Sequence, residues 1–132
     1  ESVMNGENQE KRDPLTEKVI GCAIEVHRIL GPGLLESAYQ RCMLFELRKQ
    51  GLAVETEVPM PVNYKGEIMD CGYRIDMLVE KSLIVELKAV ETLLPIHEAQ
   101  ILSYMKLSGI RIGLLVNFHQ SRLVDGLKRF IL

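Results

Sequence analysis

Three cysteines, Cys22, Cys42 and Cys71, are all that 132 residues contain, and no two form a C-x-x-C pair. An odd number at wide spacing excludes a disulfide framework and a thiolate zinc site, and reads as reduced thiols in a cytoplasmic protein. Tryptophan is absent and aromatic residues make up only 5%. Apolar runs are strand-length, such as Gly113-Leu114-Leu115-Val116, far short of the ~20 residues a membrane helix requires. No G-x-x-x-x-G-K-[ST] phosphate loop occurs. Ser37, Ser103 and Ser108 lack the context of a nucleophile elbow. There is no internal repeat and no low-complexity tract. Nor is there bulk charge of one sign, since 16 basic and 18 acidic residues give a net −2. Binding to nucleic acid by overall positive charge is thereby excluded.

What remains is an ordinary globular composition, 47% hydrophobic and 26% charged. A chain of this length makes one domain that buries about two-thirds of its unfolded surface. The charge is unevenly distributed. Residues 1–105 carry 11 basic and 17 acidic groups, whereas residues 106–132 carry Lys106, Arg111, Arg122, Lys128 and Arg129 against Asp125. A basic end on an acidic body is either a phosphate-facing patch or a solvated helix face, and on charge alone the solvated face is favoured.

The polar stretch of residues 1–13 reads as a disordered leader without an apolar signal core, leaving 14–132 as the domain. Val19, Ala23, Val26 and Ile29/Leu30 recur at helical spacing, which predicts a helix over 14–30 with Pro14 in its first turn. Gly31-Pro32-Gly33 stops it. A second helix is expected from about Leu34 to Gln50. Leu52–Val58 alternates, with Pro59 and Pro61 breaking or bending whatever strand is there. Pro61–Gly66 suggests a short strand entering a turn. Gly72–Val79 and Leu83–Ala89 are two strands joined tightly at Glu80-Lys81-Ser82, followed by a helix over Pro95–Leu107. A strand over Ile110–Asn117 and a last helix from about Ser121 complete the chain. The expected fold is α/β, a mixed four-stranded sheet flanked by helices in the order ααβββαβα.

The hairpin formed by the two central strands carries the chemistry. Leu83, Val85 and Leu87 make one apolar face and Ile75, Met77 and Val79 another. Matching these faces sets Val79 opposite Leu83 and Asp76 opposite Glu86, with Cβ atoms about 5 Å apart. Lys88 lies further along the same face. Opposed carboxylates repel unless neutralised, and their oxygens suit Mg²⁺ or Mn²⁺. The alternative is a structural ion-pair network among Asp76, Glu86 and Lys88 on a solvated sheet face.

Asp76 followed by Glu86-Leu87-Lys88 on the next strand resembles the PD-(D/E)XK nuclease superfamily, whose members share a restriction-endonuclease-like fold. Gly33-Leu34-Leu35-Glu36-Ser37-Ala38-Tyr39 resembles the signature of the bacterial GxxExxY group placed in that superfamily. Gln100-Ile101-Leu102-Ser103-Tyr104 resembles the Q-x-x-x-Y motif of its RecB-like members. Ile75 stands where the superfamily name has proline. The resemblance spans about 14–130 and implies a Mg²⁺- or Mn²⁺-dependent nuclease acting on DNA or another nucleic acid. It implies Glu36, Asp76, Glu86 and the Leu87 carbonyl as metal ligands, and Lys88 as the residue that positions the attacking water. It implies Gln100 and Tyr104 as site support or contacts to the DNA backbone. Because some members have lost catalysis, an inactive nucleic-acid-binding or protein-interaction module on the same fold is the alternative. So small a chain has little surface to grip a duplex, which makes a homodimer one expectation; no membrane association is expected. Single histidines at 27 and 97 without ligand spacing read as structural.

Overall fold

A computed structural model describes the backbone of Ser2–Asn5 and residues 13–132 with their side chains. The elements are β1 (Ser2–Asn5), α1 (Pro14–Leu30), α2 (Glu36–Lys49), β2 (Val54–Pro59), β3 (Val62–Tyr64), β4 (Glu67–Met69), β5 (Arg74–Val79), β6 (Leu83–Lys88), α3 (Pro95–Ser108), β7 (Ile112–Asn117) and β8 (Leu127–Ile131). A 3-10 turn at Leu123–Gly126 leads into β8.

Helix α1 begins where its punctuation dictates. The Asp13 carboxylate accepts from the Thr16 N–H at 2.7 Å, which satisfies one orphan donor of the first turn. At the other end Gly31 adopts φ 69° and ends the helix. Its N–H still donates to the His27 carbonyl.

The main sheet has the strand order β1-β8-β7-β6-β5-β2, with β6 and β7 parallel and every other neighbour antiparallel. Helices α1 and α2 cover one face, packing Val19, Ala23, Met43 and Leu47 onto Met77, Val85, Leu114 and Val116. Helix α3 covers the other, packing Ile101 and Met105 onto Ile84, Leu115 and Phe130. Strand β6 is consequently buried on both faces over Leu83–Leu87, as the central strand of a doubly covered sheet must be. No helix among the described residues is long and apolar enough to cross a membrane.

The sheet is wider than the expected four strands. The predicted C-terminal helix from Ser121 is instead the 3-10 turn and β8. Leu123, Leu127 and Phe130 match a helical spacing, but the open edge of β7 offers a full ladder of hydrogen bonds, and Leu127–Ile131 takes it. Gly126 permits the approach, since a Cβ there would lie 2.2 Å from the Asn117 carbonyl oxygen. Ser2–Asn5, expected within a disordered leader, pairs antiparallel with β8 and covers its outer edge; the remainder of that leader, up to residue 12, lies outside the described residues. Residues 61–69 form a separate two-stranded hairpin, β3–β4, beside the sheet.

The basic end of the chain does not gather into one phosphate-facing patch. Lys128 points toward α3 and pairs with Glu98 at 2.5 Å. Arg129, only 3% exposed, points the other way and lies 3.6 Å from the Asp13 carboxylate. Alternation along β8 sends successive side chains to opposite faces, so a helix face was never available to collect them.

Candidate active site

The expected register is present: Val79 faces Leu83, Leu78 faces Ile84 and Met77 faces Val85. Regular pairing then stops. At the next position the Asp76 N–H donates to Glu86 Oε2 at 2.7 Å, and the Leu87 N–H donates to Asp76 Oδ2 at 2.8 Å. Each carboxylate thus takes a backbone donor from the other's strand. On the opposite side of β5, pairing with β2 also skips Asp76, between Thr56↔Met77 and Val58↔Ile75. The residue left facing it, Glu57, has φ 52°. A break on both sides lets β5 turn over. Met77 and Val79 pack under α1 and α2, whereas Ile75 packs under α3. The single apolar face expected for Ile75, Met77 and Val79 is therefore split at Asp76, which sits on the bend.

Gln40, one helical turn after Glu36 on α2, holds that bend. Its Nε2 donates to the Asp76 carbonyl and to Glu57 Oε2, both at 3.0 Å. Neither Gln40 nor Glu57 is singled out by motif. The spacing from Glu36 and the strand register opposite Asp76 are the signals that carry them.

Lys88 ends β6, half-buried. Its carbonyl accepts from the Phe118 N–H, and the residues after it are tied down by Asn117. That fully buried amide donates to the Val90 carbonyl at 2.8 Å and accepts from the Val90 N–H at 3.0 Å. Glu36 does not enter the Asp76–Glu86 pair. It is exposed at the start of α2, and its Oε2 accepts from the Ala89 N–H at 3.3 Å, one residue past Lys88. Its place depends on Tyr39, whose buried ring stacks on Phe118 at 4.3 Å. The Tyr39 hydroxyl donates to the Gly31 carbonyl at 2.6 Å and accepts from the Leu34 N–H at 3.1 Å, which fixes the turn that delivers Glu36. Tyr39→Phe removes both bonds and leaves two backbone groups unpaired. We expect a loss of about 1–2 kcal/mol, read from the urea midpoint; an unchanged midpoint would show that the turn holds without it.

Gln100 and Tyr104 meet as expected on one face of α3, with Gln100 Nε2 donating to the Tyr104 hydroxyl at 3.1 Å. His27 and His97 each contact backbone. His27 Nε2 lies 2.7 Å from the Gln120 carbonyl, and His97 Nδ1 accepts from the Leu94 N–H at the start of α3.

Burial makes this arrangement electrostatically expensive in the absence of a cation. Desolvation, followed by the charge of Asp76, pushes the Glu86 carboxyl up to about 8. Desolvation also raises Asp76, with Glu57 and Glu36 adding to it, against the Leu87 N–H and Lys88. Tyr104 is raised by burial and then by Glu86, so its hydroxyl keeps its proton near the carboxylates. Among the described residues no three His, Cys, Asp or Glu side chains converge tightly enough to hold a metal unaided. The donor set nevertheless fits a hard divalent cation. Asp76 Oδ1 and Glu86 Oε1 accept no hydrogen bond among the described residues. Mg²⁺ is commonly held by only one or two carboxylates, with waters and substrate phosphate completing its shell.

No curated protein and no solved structure matches the chain significantly. A family model described as the PD-(D/E)XK nuclease superfamily matches residues 13–130, a span that contains Asp76, Glu86 and Lys88 in their interlocked hairpin and extends over both helical layers. The chain belongs to the PD-(D/E)XK nuclease superfamily.

Proposed function

We propose that the protein is a Mg²⁺- or Mn²⁺-dependent nuclease of the GxxExxY group that hydrolyses DNA phosphodiester bonds. The observation that carries this is the buried Asp76–Glu86 pair, each carboxylate with one oxygen committed to a backbone N–H and the other open, beside a half-buried lysine. A bound divalent cation would supply charge neutralisation and Lewis acidity at the scissile phosphate. Asp76 and Glu86 would hold it, with the Leu87 carbonyl and Glu36 on the rim of the site. Lys88 lies near enough to act on both carboxyls, opposing the rise that burial imposes on them. Its ammonium would orient the attacking water and stabilise the negative charge that grows on the phosphoryl oxygens. The Gln100–Tyr104 pair would close the α3 side of the site, where burial and the charge of Glu86 keep the Tyr104 hydroxyl protonated. Cys22, Cys42 and Cys71, all free thiols, fit a cytoplasmic protein.

Incubation of plasmid and linear DNA with the protein and Mg²⁺ or Mn²⁺ tests the proposal. Cleavage that ceases on addition of EDTA is expected. Cleavage that survives EDTA, or that persists unchanged in Asp76→Ala protein, would remove the assignment.

A further inference from the structure

Beside the carboxylates lies a cleft of about 490 Å³ between α3 and the β3–β4 hairpin, within the ~300–1,000 Å³ range of sites that take compact organic ligands. Val62, Tyr73, His97, Gln100, Ser103 and Tyr104 line it, and none of its lining residues is Lys, Arg, Asp or Glu. Tyr73 is 47% exposed and meets Tyr104 edge to face, with ring centres 6.3 Å apart at 64°. An edge-to-face pair covers at most one face of either ring, so the half-exposed Tyr73 keeps a face for a further aromatic partner. Polar groups are arranged around this apolar floor. His97 Nδ1 accepts from Leu94, which in the neutral ring places the proton on Nε2 as a donor. Gln100 commits its Nε2 to Tyr104, which leaves Oε1 as an acceptor. Tyr104 forms the wall shared with the reaction site, close enough to feel the charges of Glu86 and Asp76.

We propose that this cleft binds an unpaired nucleobase, stacked on Tyr73, so that the substrate is DNA with a single-stranded segment next to the scissile phosphate. The inference rests on the nuclease function proposed above. An uncharged aromatic cleft suits a base and not a phosphate, whereas the cation-binding carboxylates and Lys88 next to it suit a phosphate. One nucleotide has both parts, in adjacent positions. In an uninterrupted duplex the faces of the bases are stacked against their neighbours, so only an unpaired or extruded base can present a face to Tyr73. Its Watson–Crick edge then meets the His97 donor and the Gln100 acceptor.

The test compares a single-stranded oligonucleotide with the same sequence as blunt duplex. Binding is read in Ca²⁺ from the fluorescence of 2-aminopurine placed along the strand, and cleavage is read in Mg²⁺. The wild-type protein is expected to prefer the single strand and to change the fluorescence of the seated base. Tyr73→Ala should lose roughly tenfold in single-strand affinity, as removal of one stacking partner does, with little change on duplex; Tyr73→Phe, which keeps the ring, should retain the preference. Cleavage with no strand preference, or a preference indifferent to Tyr73→Ala, overturns the base site and leaves the nuclease function standing. Neither binding nor cleavage of any DNA overturns both. A concentration-dependent dimer in ultracentrifugation that Tyr73→Ala abolishes, without an effect on strand preference, would show the cleft seating a second copy and would likewise overturn it.

Discussion

Lys88→Ala should lower the rate of phosphodiester cleavage by about 10²–10³-fold while leaving the fold in place. Removal of one preorganised group that stabilises transition-state charge costs roughly that much in other enzymes. Lys88 sits where the effect should be near the upper end. It terminates the buried strand β6, its carbonyl is pinned by the Phe118 N–H, and the backbone just beyond it is clamped by Asn117. The ammonium is therefore delivered by a rigid element and not by a mobile loop. Its own packing is modest, because the side chain is only half-buried at the strand end, so truncation should move the melting temperature little. Comparison of kcat with the thermal midpoint separates the two contributions. Equal rates in the two proteins would eliminate Lys88 from the chemistry; a collapse of both rate and midpoint would show it to be structural.

Glu86→Gln should abolish cleavage and at the same time stabilise the metal-free protein at alkaline pH. Glu86 is 3% exposed, and burial beside Asp76 raises its carboxyl from an ordinary 4.5 to about 8. A carboxyl raised in the folded state contributes stability that is complete below pH 4.5 and is lost progressively as pH rises toward 8. Over that window the unfolded chain releases the proton and the folded chain retains it. In EDTA, the wild-type urea midpoint should therefore fall relative to the variant between pH 5 and pH 8, by on the order of 1 kcal/mol per pH unit where the slope is steepest. Glutamine keeps an oxygen for the Asp76 N–H and offers an amide to the Asp76 carboxylate, so it removes the repulsion and not the hydrogen bond. A divalent cation reverses the sign for the wild type alone, since it competes with the proton for the same oxygens. Midpoints of wild type and variant that run parallel across this pH range would show that Glu86 is not strained by its charge. A large loss of stability at every pH would instead mark Glu86 as a member of a structural ion-pair network.

The site was legible where local chemistry decides and illegible where long-range pairing does. Pro14 and Gly31 punctuate α1, and its bounds follow from them. The register of β5 on β6 follows from apolar faces, because a slip by one residue would set carboxylates against α1 and α2 in place of Met77 and Val85. Past Met77 that logic fails. Asp76 replaces ladder bonds with side-chain bonds on one side and loses its partner Glu57 on the other, and nothing local in Arg74-Ile75-Asp76 announces that Ile75 will turn toward α3. Gln40 carries the bend through a contact 36 residues away in sequence. Strand β8 is the same kind of case, since Leu123, Leu127 and Phe130 suit either element until β7 supplies an edge. Glu36 reaches the rim of the site by the same kind of long-range contact: its Oε2 accepts from the Ala89 N–H, 53 residues on, which no motif announces.

The central claim is that Asp76 and Glu86 form the core of a divalent-cation site, and calorimetric titration of the metal-free protein with Mn²⁺ tests it most directly. We expect binding whose affinity rises by up to about tenfold per pH unit below pH 8, and which disappears in Asp76→Ala and in Glu86→Gln. A folded wild-type protein that takes up no Mn²⁺, or an affinity unaltered by either substitution, would contradict the account.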